Sequence, residues 1–175
     1  MDNDKFFNLA LRICERSAEP PKTKRLAKLM WLLDKSAFLK LGHKITGCEY
    51  LRKQFGPVPK NNKDLLCIMR DRGMLDIRRS HQDQMPEVSY IAQKPANMTS
   101  FTEEERKLID EVLDTALERS TTSLVRESHD LTWALTEDNE PIRFESYLSQ
   151  LPLSAELKRK FKELVEEAED EYEDG

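Results

Sequence analysis

The sequence predicts an α+β chain, predominantly helical: a single domain of about six helices with one small β-hairpin or sheet. Three observations carry that prediction. Apolar residues recur at helical spacing through most of the 175 residues. One stretch, 75–92, alternates apolar and polar side chains around a polar turn. Apolar residues make up 38% and charged residues 35%, the mix of a globular but heavily solvated domain.

Residues 3–18 place Phe6, Ala10, Ile13 and Cys14 on one helical stripe, with Asp2 and Asp4 near the positive end. Pro20-Pro21 breaks that helix. Residues 23–41 form the strongest helical segment. Leu26, Met30, Leu33 and Ala37 make its stripe, and Leu29, Leu32 and Leu39 widen it. A helix apolar on more than one side belongs at the centre, and Gly42 ends it. Residues 47–54 read as a short strand running into the corner Phe55-Gly56-Pro57-Val58-Pro59. There the ring of Phe55 is expected to bury, and Pro57 to push Gly56 toward an extended or glycine-only conformation.

Asn61 or Asn62 is placed to cap a helix holding Leu65, Ile68 and Met69, which stops at Gly73. The hairpin follows: Leu75 and Ile77 alternate with Asp76 and Arg78, and Val88, Tyr90 and Ala92 with Glu87 and Ser89. Residues 93–100 are a linker. Thr102 and Glu105 have capping-box spacing ahead of Leu108, Ile109, Val112, Leu113 and Ala116. A short helix at 122–129 leads into Ser128-His129-Asp130-Leu131-Thr132-Trp133, where Trp133 is expected to close a core over the early helix. Residues 140–148 read as a turn and a short extended piece. Ser154 is placed to cap a last helix with Leu157, Phe161, Leu164 and Val165 inward. Its acidic end frays, because like charges repel. This divides the chain into a domain at 1–150 and a C-terminal helix with acidic tail at 151–175.

No run of about 18 apolar residues is present, so no transmembrane helix is expected. The first residues carry acids where a secretory signal has positive charge. Cys14, Cys48 and Cys67 are an odd, scattered set, which implies reduced thiols in the cytoplasm. The net charge of -5 is asymmetric: residues 1–80 hold 18 basic and 9 acidic side chains, a balance of +9, and residues 81–175 carry -14. Either the halves neutralise each other on folding, or each meets a partner of opposite sign.

Signs of catalysis are lacking. There is no phosphate-cradling glycine loop, nucleophile elbow or zinc-protease motif. His43, His81 and His129 lie far apart, with no cysteine at metal-ligand spacing. Ser128-His129-Asp130 contains the three triad residue types, but adjacency is not triad geometry. No catalytic residue, cofactor or metal is therefore expected. A helix with Lys63, Arg70 and Arg72 followed by a hairpin with Arg78 and Arg79 is also the layout of a winged helix. Aromatic interleaving there is poor, so nucleic acid is a minor expectation beside a binding role.

The stretch from Lys28 to Leu66 is similar to the Panacea domain, the family of SocA-like antitoxins. The resemblance rests on Leu33-Asp34 in the apolar helix, then Gly42, Ile45-Thr46-Gly47, Glu49-Tyr50 and the corner Phe55-Gly56-Pro57-Val58. It continues through residues 101–113 to Ser128-His129 and Trp133, about 25 to 150 in all. Cys48 stands where the family usually has an acid or polar residue, and Pro59 is a second proline. The resemblance implies an antitoxin whose partner is a cognate protein toxin, toxic relatives of alarmone synthetases being one class. It also implies direct neutralisation as the usual mode, with delivery of the toxin to a protease as the other. As family-motif residues, structural or partner-binding, it implies Asp34, Gly47, Glu49, Tyr50, Phe55, Gly56, Pro57, Val58, Ser128, His129 and Trp133.

Overall fold

The apolar segment predicted at the centre is the helix on which the rest is laid. A computed structural model describes residues 2–80 and 87–148. Helix α1 is Asn3–Arg16 and α2 is Thr23–Leu41. The strands β1 (Tyr50–Leu51) and β2 (Val58–Pro59) follow, then α3 (Asn62–Asp71) and the hairpin strands β3 (Leu75–Ser80) and β4 (Glu87–Ala92). A 3-10 turn at Met98–Ser100 precedes α4 (Glu103–Ala116), α5 (Thr121–Ser128), α6 (Leu131–Leu135) and α7 (Glu145–Leu148). The chain divides into two units, 1–144 and 145–175, and α7 is the described part of the second. The helix expected from residue 154 and the acidic end lie outside the described residues.

Helix α2 touches α1, α4, α5, β2 and β4. Its Leu29, Met30, Trp31, Leu33 and Ala37 are essentially inaccessible to solvent, and each large side chain buried this way contributes about 1.5–3 kcal/mol. Gly42 ends the helix in the left-handed conformation, φ 79°. Helix α1 buries a wider face than its predicted stripe, adding Phe7, Leu9 and Leu11. Its start is capped by Asp2, which accepts from the N–H groups of Asp4 and Lys5. The Thr102–Glu105 capping box forms in full at the start of α4.

Two antiparallel ribbons complete the first unit. Strands β1 and β2 pair Tyr50 with Pro59 and Leu51 with Val58, so the proline corner is the loop of a small hairpin. Residues 141–142 lie beside it, through a bridge from Pro141 to Leu51 and an Ile142 N–H bond to the Tyr50 carbonyl. The extended piece expected near 140 is there, and the chain then turns into α7 instead of continuing extended. Strands β3 and β4 pair from Leu75↔Ala92 to Ser80↔Glu87, with α3 packed against β3. The predicted order of helix then hairpin is thus realised. Asn61 precedes α3 at φ 59° and makes no side-chain cap; its left-handed backbone differs from the extended one that a capping residue ordinarily has.

The opposite charges of the two halves meet within the fold. Lys5 pairs with Glu105, Arg12 with Asp110, Arg16 with Asp110 and Asp114, Lys35 with Asp130 and Lys40 with Glu111. Much of the asymmetry along the sequence is neutralisation between helices that lie side by side.

Candidate functional site

The motif residues gather into two clusters on either side of β1–β2. The first is a clasp around Asp34. Its carboxylate is fully buried on α2, where an unpaired charge costs several kcal/mol. Three donors answer it: the Thr46 N–H at 2.9 Å, the Thr46 hydroxyl, and the Tyr50 hydroxyl at 2.8 Å. Burial still raises the Asp34 pKa, while these hydrogen bonds and the Lys44 ammonium pull it down. The Tyr50 phenol is pushed well above its ordinary value by burial and by the Asp34 charge. The clasp ties the segment after α2 back onto the helix. Gly47 is the exposed turn between its two arms, and Glu49 pairs with Lys60 at 2.6 Å.

The second cluster is built on the proline corner. The Gly56 N–H donates to the Lys53 carbonyl at 2.8 Å, closing a tight turn. Gly56 has φ +90°, and a Cβ on it would stand 2.2 Å from Ser128 Oγ and 2.9 Å from Lys28 Nζ. Glycine is required twice, by backbone conformation and by space. Val58 continues into β2. The Pro57 carbonyl turns inward and accepts from Lys28 Nζ at 2.6 Å. Lys28 is buried without a carboxylate partner among the described residues, and desolvation lowers its pKa to about 7.

Helix α2 presents a line of residues to this corner. Lys24, Lys28, Trp31 and Lys35 follow one another at helical spacing. Lys24 Nζ lies 3.8 Å from the centroid of the Phe55 ring, and Lys35 Nζ is 2.7 Å from Asp130 Oδ2. Asp130 also caps α6 by accepting from the Trp133 N–H at 3.0 Å. The Trp133 ring stacks on His129, centroids 4.1 Å apart, and carries the Arg52 guanidinium at 4.4 Å. Its indole N–H donates to the Lys53 carbonyl at 3.1 Å. His129 Nε2 is buried without a hydrogen-bond partner. Burial first, then the charges of Lys28 and Arg52, lower the His129 pKa, with a Gln54 backbone hydrogen bond and Asp130 acting the other way.

Two expectations are corrected here. Phe55 does not bury its ring; it is 48% exposed. The turn that brings the Pro57 carbonyl inward leaves Phe55 at its outer side, under Lys24. Trp133 does not close the core over the early helix; it lies half-buried along the corner. The short helix α6 turns Thr132 inward instead, and the tryptophan of the core is Trp31, 1% exposed. Lys28 and Arg52 belong to the cluster although the motif does not include them, and Asp130, weighed in the sequence only as a triad type, joins it through Lys35 and α6. A lysine inside the most apolar helix was the one available sign of a buried cation, and Asp130 has the N-cap position its residue type favours.

Ser128, His129 and Asp130 do not converge as a triad. Ser128 is fully buried and donates to the Val125 carbonyl at 2.8 Å; His129 faces Trp133; Asp130 serves α6 and Lys35. Among the described residues no group of three or more His, Cys, Asp or Glu side chains is placed to hold a metal. No helix among them is long and apolar enough to cross a membrane.

What this geometry defines is a predominantly helical α+β domain, stapled at two points to a central helix by buried polar contacts. The model of a family described as antitoxin SocA-like, Panacea domain, matches residues 26–134, from α2 to α6. The match spans more than half of the chain, and the chain belongs to that family; an antitoxin role in general terms follows from it. No curated protein and no solved structure matches the chain.

Proposed function

We propose that this protein is the neutralising half of a toxin–antitoxin module, binding its cognate toxin directly and performing no chemistry on it. The observation that carries the reading is the family match across α2 to α6. The clusters support a binding role. Most of their polar groups are spent on each other and on the backbone, and Ser128 donates to the Val125 carbonyl instead of standing beside a base, which suits a scaffold. The three thiols are free, in keeping with a protein acting in the cytoplasm.

A second reading, a nucleic-acid-binding regulator, has one observation in its favour, the realised order of α3 and basic hairpin. Two of its arginines are engaged locally, Arg70 by Asp71 and Arg78 by Asp76. Sequence-independent, salt-sensitive binding is the most that layout supports.

The test is co-expression of this chain with the product of the adjacent reading frame. The expected result is that the neighbour alone arrests growth, that this chain restores it, and that the two co-purify. Restored growth without a complex points to delivery of the toxin to a protease. A neighbour that is harmless alone, together with a tight sequence-specific shift of DNA at about 150 mM salt, sinks the antitoxin reading.

A further inference from the structure

Among the described residues, seven cations of the first half pair with carboxylates of the second, and a group of those that do not lies on α3 and the hairpin. Helix α3 and the β3–β4 hairpin enclose a groove of about 260 Å³. Its walls are Leu66 and Cys67 from α3, and Ile77, Val88 and Tyr90 from one face of the hairpin. The register Ile77↔Tyr90 and Arg79↔Val88 places these four hairpin side chains side by side. The rim carries Lys63, Arg70 and Arg79, and no carboxylate among the described residues lines the groove. Among the described residues Lys63 and Arg79 have no ion-pair partner, and Arg70 is held only by its neighbour Asp71.

An apolar floor under a one-signed rim is a stated chemistry. The floor takes large apolar side chains, and the rim takes carboxylates around them. At 260 Å³ the groove falls just below the usual size of a small-molecule site, about 300–1,000 Å³. That suits anchoring side chains better than a whole cofactor. Bases of single-stranded nucleic acid need exposed aromatic faces on which to stack. The groove's only aromatic residue is Tyr90, which is buried, with its hydroxyl 3.1 Å from the Thr23 hydroxyl.

We propose that the groove between α3 and the hairpin is the surface that docks the toxin, receiving a toxin segment in which carboxylates flank large apolar side chains. This rests on the antitoxin reading above and names the site and the chemistry of the contact. Within the motif clusters Asp34, Tyr50 and Ser128 have no exposed area to offer, and the exposed Phe55 is covered by Lys24.

Cys67 reports on the groove. It is partly exposed in the wall, whereas Cys14 and Cys48 are buried, their thiols pushed up to about 12 and about 11 by that burial. The full chain, free and in complex with the co-expressed toxin, is treated with a maleimide and the modified cysteine located by mass spectrometry. The expected result is rapid labelling of Cys67 in the free protein and at least about tenfold slower labelling in the complex. In parallel, the double variant Lys63→Glu/Arg79→Glu is expected to associate about tenfold more slowly at low salt, with the difference closing at high salt. The pair Lys63→Arg/Arg79→Lys keeps the wild-type rate. Both positions are exposed, so melting temperatures of these variants stay near wild type. A stable complex in which Cys67 labels as fast as before overturns this inference alone. So does unchanged association of the charge-reversed variant at low salt, or protection of Cys67 by a single-stranded RNA 20-mer but not by the toxin. Failure to form any complex overturns the direct-binding reading, and this inference with it.

Discussion

Replacing Gly56 by alanine tests the corner with a single methyl group. Two costs add. The backbone at φ +90° is outside the range that L-residues adopt freely, at about 1–2 kcal/mol for a non-glycine residue. The new Cβ would sit 2.2 Å from Ser128 Oγ and 2.9 Å from Lys28 Nζ. Lys28 is buried and bonded to Pro57, so it cannot swing away, and overpacking of this kind costs about 1–3 kcal/mol. The total, about 2–5 kcal/mol, is a large share of the roughly 5–15 kcal/mol that holds a domain together. For a chain of this size it corresponds to a fall of about 4–20 °C in melting temperature.

A double-mutant cycle separates the two costs. Ser128→Ala removes the oxygen that the new methyl meets and leaves the backbone conformation untouched. Alone it loses one hydrogen bond, to Val125, about 1 kcal/mol. Together with Gly56→Ala it should destabilise by less than the sum of the two, because the contact is gone from the double variant. Melts of the four proteins by circular dichroism give the coupling directly. If Gly56→Ala melts within a degree of wild type, the left-handed turn against Ser128 is wrong. If the two substitutions add without coupling, the contact is absent even though the strain is real.

Three further outcomes follow from the two clusters. Tyr50→Phe leaves the buried Asp34 carboxylate one donor short and should cost about 1.5–3 kcal/mol in urea unfolding; a change within error would mean the clasp is not formed. Lys28 has its pKa lowered to about 7 in the folded protein. The unfolded chain, where lysine titrates at 10.5, therefore holds a proton that the native state has lost, and stability rises with pH between those values. Lys28→Met lacks that titration, so wild type should lag the variant most at and below pH 7 and gain on it as pH climbs to 10. A constant gap across melts from pH 6 to 10 would refute the buried amine. In a Trp31→Phe background the emission of Trp133 should titrate with the stacked His129 at a midpoint below the ordinary histidine value of 6.5; a midpoint above it would contradict the burial of that ring beside Lys28 and Arg52.

The fold was legible where the signals are local. The ends of α2 follow from Pro20-Pro21 and Gly42, and the start of α4 from the Thr102–Glu105 box, because breakers and caps act over a few residues. The hairpin was legible from its alternation, since period two has no helical reading. The membership of the two clusters was visible as a list of motif residues but not as two groups. That Asp34, Thr46 and Tyr50 close on one another depends on the path of the chain after α2. Phe55 and Trp133 were placed inside on size alone. Which way a ring points out of a turn, or off a helix as short as α6, depends on one or two backbone angles. Trp31 lies off the apolar stripe of α2, and its burial shows that the helix is enclosed on that side as well.

Where the motif sits bears on what it can do. Asp34, Tyr50 and Ser128 are solvent-inaccessible, and Gly56 and Pro57 are buried with them. A side chain with no exposed area cannot touch a toxin unless the fold opens, and opening the Asp34 clasp means stranding a buried carboxylate at a cost of several kcal/mol. These buried residues bear on the fold: their contacts tie the segment after α2 and the proline corner back to α2. Recognition then falls to what that frame presents on the outside. Around the corner this is Phe55 with Lys24; across α3 and the hairpin it is the apolar groove, where Lys63 and Arg79 have no ion-pair partner among the described residues. On the docking proposal, substitutions there leave the frame standing and alter partner contacts, whereas substitutions of the buried motif residues disturb both. On that proposal, a change that abolishes binding at an unaltered melting temperature belongs to an exposed residue of α3, the hairpin or the corner. One that lowers both belongs to Asp34, Tyr50 or Gly56.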